Sequence, residues 1–171
     1  MCIRDRCSTI QDIKYLTREN IDGEELELKI HDLVNEERQN YGLPSLQYDT
    51  LLAEIARKHS EDMIKRCFFD HVNPDGLDPT ARAKSAGFPC YKDFGGYYTD
   101  GIAENIGLTP IGNVVGCGDV YSMDEIAYCC VKGWMSSSGH RQNILDSSYD
   151  KEGIGVAVSS DNKVYITQDF W

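Results

Sequence analysis

Three residues carry the chemistry that a site would need: His71, Glu104 and His140. His71 follows a predicted helix in Phe68-Phe69-Asp70-His71, just ahead of the turn-forming run Asn73-Pro74-Asp75-Gly76. Glu104 lies in Gly101-Ile102-Ala103-Glu104-Asn105-Ile106-Gly107, an apolar stretch where a carboxylate is costly unless paired or hydrogen-bonded. His140 comes after Trp134-Met135-Ser136-Ser137-Ser138-Gly139, where serines and a glycine let the chain leave one helix and cap the next. Two imidazoles and a carboxylate suit either a divalent metal ion or acid–base work. Spacing alone does not bring them together, and the His140 stretch by itself reads first as a capped helix–loop–helix with its histidine in a polar network.

Other chemistries are excluded by their residues. An EF-hand loop aligned on Asn73, Asp75 and Gly76 needs an acid at position 71 and a glutamate at position 82; the chain has His71 and Arg82. There is no HExxH helix for a zinc peptidase and no GxSxG turn for a serine hydrolase. Cys67, Cys90, Cys117, Cys129 and Cys130 contain no CxxC pair, which removes a zinc ribbon or a thioredoxin-like centre. Cys90 and Cys117 flank a Gly- and Tyr-rich excursion and are candidates to staple it in an oxidising compartment. Gly116-Cys117-Gly118 reads as a mobile or disulfide-bonded turn. Cys129 and Cys130, neighbours on a predicted helix, read as free buried thiols.

The elements that must position these groups follow from periodicity and end signals. Leu26, Ile30, Leu33 and Val34 at helical spacing predict a helix over 24–41, stopped by Gly42 and Pro44, with His31, Asn35 and Arg38 on a further face. Asp49 caps a second helix reaching about residue 66, with Leu52, Ile55, Ala56, His59 and Met63 on one stripe; His59 there is a packed, hydrogen-bonded histidine. A short helix is expected over 79–86, then an aromatic, glycine-rich loop over 88–99 and an irregular stretch over 108–121. Ser122 and Glu125 form a capping box for the helix that turns Ile126, Cys130, Val131 and Trp134 inward. Strands are expected at 153–158 and 164–170, joined by a hairpin. This order predicts an α+β layered domain.

Composition limits the partners. A net charge of −11 disfavours a phosphate backbone, so no nucleic-acid partner is expected, and no apolar run is long enough to span a bilayer. Met1-Cys2-Ile3-Arg4-Asp5-Arg6 is similar to the translated end of a sequencing adapter. Residues 1–23 are read as an arm and 24–171 as the domain, with any leader ahead of it left open.

The motifs together resemble the CAP domain of cysteine-rich secretory proteins, venom antigens and plant pathogenesis-related proteins, in its bacterial and archaeal form. The resemblance rests on His31-x3-Asn35-x2-Arg38, Phe69-x-His71, Gly101-x-x-Glu104-Asn105-Ile106, Trp134-x4-Gly139-His140-Arg141-x-Asn143 and Gly153-x-Gly155-Val156. It implies a three-layer α-β-α sandwich with a small, mainly antiparallel central sheet and an open cleft where His71, Glu104 and His140 meet. His31, Asn35, Arg38, Asn105, Trp134, Gly139 and Asn143 are then its structural motif. Many members add a glutamate to the cleft where this chain has Ser137, which weakens a metal site by one anionic ligand. The resemblance thus implies a binding module, extracellular or in the cell envelope, whose cleft takes a lipid, peptide or glycan and whose surface docks on other proteins. No cofactor is required, and zinc or another divalent ion would bind weakly through His71 and His140. The alternative is a metal-dependent hydrolase with Glu104 as its candidate catalytic residue.

Overall fold

The computed structural model describes residues 20–171. The adapter-like segment, Cys2, Cys7 and most of the expected arm lie outside the described residues. Helix α1 (Gly23–Asn40) opens where Asp22 accepts a hydrogen bond from the Glu25 amide at 3.1 Å, and Glu24 and Glu25 complement the positive end of its dipole. It ends at Gly42, whose φ of +73° is a conformation that favours glycine. Helix α2 (Thr50–Lys65) is capped by Asp49 as expected, and the stripe from Leu52 to Met63, His59 included, is buried. After the short α3 (Pro79–Ser85) come α4 (Met123–Ser136), with both halves of the Ser122/Glu125 capping box in place, and, one residue on, the short α5 (Ser138–Ile144).

Between the helices lies a four-stranded sheet in the order β1-β7-β8-β4. Its members are β1 (Gln47–Tyr48), β4 (Ala103–Pro110), β7 (Lys151–Val158) and β8 (Lys163–Phe170). Only the β1–β7 pairing is parallel. Alternation of side chains divides the sheet into two covered faces. Ile154, Val156, Ile166 and Phe170 join α1 and α4 in the main core, with Leu26, Ile30, Ile126 and Trp134. The opposite face carries α2, and this explains Gly153-x-Gly155. A Cβ on Gly153 would stand 2.1 Å from the Ala53 amide nitrogen, and one on Gly155 1.9 Å from that of Arg57. The glycines let helix backbone lie directly on strand backbone. The result is the α-β-α sandwich.

Three expectations need correction. The stretches expected to be irregular hold two small antiparallel hairpins: β2 (Tyr91–Asp93) with β3 (Tyr98–Asp100), and β5 (Gly112–Val114) with β6 (Gly118–Val120). The Cys90–Cys117 staple is not formed. Cys117 is bonded to Cys129, while Cys90 and Cys130 are free and buried. The reason is the β5–β6 turn, which packs Cys117 against the main core beside α4, while Cys90 is buried in a second cluster with Leu52 and Phe88. Cys129 is therefore not a free thiol, whereas Cys130, one residue on, points into the core and burial pushes its thiol pKa far up.

A polar cluster beside an apolar groove

Glu104 is the centre of the site. β4 places it on the α2 face of the sheet, where it is nearly fully buried. His71 Nδ1 lies 2.7 Å from its Oε1, and Arg82, from α3, donates to its Oε2. The same guanidinium donates to the His71 carbonyl at 2.6 Å, so one side chain fixes both the carboxylate and the turn that carries the imidazole. His59 approaches from α2, its Nε2 3.0 Å from the Asp70 carbonyl and 4.0 Å from Glu104 Oε1. A carbonyl can only accept, so Nε2 carries the proton in this ring. Burial keeps His59 below its ordinary pKa, while the hydrogen bond to Glu104 raises that of His71.

His140 is held from behind rather than by its ring. Asn105 Nδ2 donates to its carbonyl at 3.2 Å, and Asn143 donates to the Glu104 carbonyl and to Asn105 Oδ1. This is the visible end of a polar chain through the core. Asn105 also donates to Gln168, Gln168 donates to Glu152 at 2.6 Å, and Glu152 meets His31 Nδ1 at 2.6 Å. Asn35 joins His31 to the backbone of Leu46, and the buried Arg38 donates to the Ile144 and Asp146 carbonyls. The motif residues thus tie α1 through three strands to α5. Burial lowers the pKa of His140, and repulsion from His71 adds to this, so the two imidazoles feel each other. Ser137 lines a groove with His140, and its hydroxyl makes no cap to α5. Gly139 opens α5 with open space at its Cβ position, so no close packing demands glycine there.

Arg82, Glu152, Gln168 and Asp169 are site residues that the sequence reading missed. Asp169 stands opposite Glu104 in the β4–β8 ladder, is fully buried, and neither carboxylate oxygen receives a hydrogen bond from a donor group. Burial, then the Glu104 charge, raises its pKa well above the usual carboxylate range. The protonated acid has an acceptor at hand in Glu104. A raised acid is stabilising below its unfolded pKa near 3.8, and that contribution is lost as pH rises towards the folded value. Asp169→Asn, which keeps shape and a donor but cannot ionise, is therefore expected to gain stability over the parent as pH rises from 4 to 8, by on the order of 1 kcal/mol or more. Urea unfolding at the two ends of that range measures it. A variant that loses ground as pH rises would mean that Asp169 is ionised in the fold.

The donor set does not fit a metal centre. Arg82 occupies one Glu104 oxygen and His71 faces the other, Ser137 brings no charge, and no three His, Cys, Asp or Glu side chains are arranged to hold an ion among the described residues. Even an open catalytic zinc site uses three protein ligands. Beyond His140 the groove becomes apolar. It has a volume of about 410 Å³ and is walled by Phe69, Ile106, Leu108, Val114, Val115 and Trp134. The Cys117–Cys129 disulfide pins the β5–β6 hairpin, which forms its outer wall, to α4.

Residues 31–170 match the family model described as CAP, the cysteine-rich secretory protein family. The Bacillus subtilis (strain 168) protein YkwD is 36% identical over 136 residues, covering 78% of this chain and 43% of that protein. The membrane protein YlbC of the same strain is 31% identical over 144 residues, covering 84% of this chain and 34% of its own length. This chain therefore spans less than half of either relative. Among solved structures, an extracellular protein containing a SCP domain from Bacillus anthracis str. Ames superposes with a TM-score of 0.64 at 26% identity, over 86% of this chain and 40% of that one. With its motif residues in one hydrogen-bonded frame and its sequence matched over most of its length, the chain belongs to the cysteine-rich secretory protein (CAP) family.

Proposed function

We propose that the chain is an extracellular or envelope binding module whose cleft takes the apolar part of a lipid-like ligand, its polar end set near His140 and His71. The observation that carries this reading is the run of apolar side chains from Trp134 and Ile106 out to Leu108, Phe69 and Val115, the last three substantially exposed. Exposed apolar walls next to a buried polar cluster match the usual composition of a small-molecule site. A disulfide on the groove wall and the extracellular relative support the location. Residues 24–171 are the unit proposed to fold and bind. Peptides and glycans fit the apolar walls less well, because their polar backbones would lose water there without new partners.

The hydrolase alternative has less support. Arg82 and His71 hold Glu104 in one orientation, a positioning role rather than that of a base facing water. A divalent ion has only the imidazoles of His71 and His140 to bind, which is the weak, accessory binding that the family resemblance implies.

The test is a titration with the fluorescent fatty acid cis-parinarate. Saturable binding is expected, weakened about tenfold or more by Leu108→Asp, which puts a charge on the apolar wall. Binding that is unsaturable or indifferent to Leu108→Asp sinks the reading. So does turnover of ester or peptide substrates that Glu104→Gln abolishes in stably folded protein.

A further inference from the structure

The β2–β3 hairpin is built unlike the rest of the domain. Four aromatic residues fall within its eight positions 91–98, and Tyr91, Tyr97 and Tyr98 are 55%, 62% and 65% exposed. A three-residue hairpin is marginal alone in water, and here its rings hold it together. Phe94 and Tyr97 stack at 4.7 Å, Tyr91 and Tyr98 meet at 5.3 Å, and Lys92 Nζ lies over both Phe94 and Trp171. Lys92 covers Phe94, while the three tyrosines keep most of their surface open to solvent. Among the described residues no other strand pairs with this hairpin.

Beside the hairpin runs a groove of about 420 Å³ that mixes polar groups with apolar surface from Ile102, Tyr149 and Trp171. Thr99, Asp100 and Ser148 supply hydroxyls and a carboxylate, and the indole N–H of Trp171, on the same groove, finds no acceptor among the described residues. Lys92, the one cation lining it among the described residues, is tied to Asp150 at 2.9 Å and to the Ser148 carbonyl. Lys84, next to Asp100, is paired with that carboxylate at 2.7 Å. The groove thus has no free positive charge to offer an anion, and the protein as a whole is strongly acidic.

We infer that the β2–β3 hairpin and the groove beside it form a binding site for a neutral oligosaccharide, separate from the cleft. A sugar ring presents weakly positive C–H groups on its face and hydroxyls around its rim. The tyrosine faces, negative in their quadrupole, receive the first. The carboxylate, hydroxyls and indole N–H receive the second. A protein partner would bury the rings equally well, but it would leave this hydroxyl-and-carboxylate groove unfilled. The groove shares no lining residue with the apolar cleft, so the inference stands apart from the lipid reading.

Calorimetry and NMR with cellohexaose and hexa-N-acetylchitohexaose as neutral probes, and a hexauronate as the anionic one, test it. The neutral sugars are expected to bind and to shift the ring protons of Tyr97 and Tyr98. Tyr97→Ala/Tyr98→Ala should weaken binding about tenfold, whereas Tyr97→Phe/Tyr98→Phe, which keeps the faces, should stay within about threefold. Leu108→Asp, in the cleft, should leave the sugar affinity in place. Absence of neutral-sugar binding, preference for the hexauronate, or ring shifts that vanish with Leu108→Asp would each overturn the inference. Self-association abolished by the alanine pair, with no sugar bound, would make the patch a protein interface instead.

Discussion

Replacing Trp134 by alanine is expected to lower stability by about 3–5 kcal/mol, the range for truncating a buried aromatic. The side chain is 2% exposed in the main core, and its Nε1–H donates to the Ile106 carbonyl at 3.1 Å. Two losses therefore add: the cavity left by the indole and an orphaned carbonyl in the middle of β4. Gly107, on that strand, accommodates the ring, since a Cβ there would stand 3.2 Å from Cys130 Sγ and 3.4 Å from Trp134 Nε1. Trp134→Phe separates the two terms. It refills most of the volume and should recover more than half of the loss. Urea unfolding followed by far-UV circular dichroism is the measurement, and a loss under about 1 kcal/mol in the alanine variant would show that the indole does not anchor α4.

Gly155→Ala is expected to cost at least about 3 kcal/mol, at the upper end for overpacking. Overpacking is usually eased by a side chain that swings away. Here the added methyl would meet the amide nitrogen of Arg57 at 1.9 Å and the carbonyl carbon of Ala56 at 2.3 Å, both helix backbone. The whole of α2 must retreat, and it carries His59 and Ser60, whose hydroxyl donates to the Gly155 carbonyl at 2.8 Å. Gly133→Ala, on α4 with open space at its Cβ, is the matched control and should be neutral or slightly stabilising. Equal stability of Gly155→Ala and the parent would mean that α2 does not lie on β7 as described.

Much of this was legible before the fold. The register of α4 could be read because Ile126, Cys130, Val131 and Trp134 recur at helical spacing behind a capping box, two independent local signals that agree. The same holds for α2 behind Asp49. Of the site, His71 and Glu104 are in contact, and the expectation that a buried Glu104 needs a partner was met by Arg82 as well. Arg82 entered the sequence argument only as the wrong residue for calcium, since nothing local links α3 to β4. Glu152, Gln168 and Asp169 were missed for a different reason. Alternation assigns polar strand residues to a wet face, but all three of these sit where the sheet is covered and are fully buried. The signal was there in Gln168-Asp169, polar neighbours in an otherwise apolar strand. The cysteine pairing depended on a turn of three-residue strands, too short for periodicity to register.

The polar chain from His31 through Glu152, Gln168 and Asn105 to Asn143 also bears on how the domain finds its one arrangement. Apolar cores tolerate sliding, because one leucine can replace another at modest cost. This core cannot slide. A shift of β4 by one residue against β8 would turn Asn105 to the other face, leaving Gln168 and the His140 carbonyl without their donor. A shift of β7 would strip Glu152 from both His31 and Gln168 at once. Each misaligned state carries several buried groups without partners, and such penalties accumulate where only the native pairing satisfies them all. The chain acts as a combination lock on strand alignment, so the domain settles on one cleft of fixed shape.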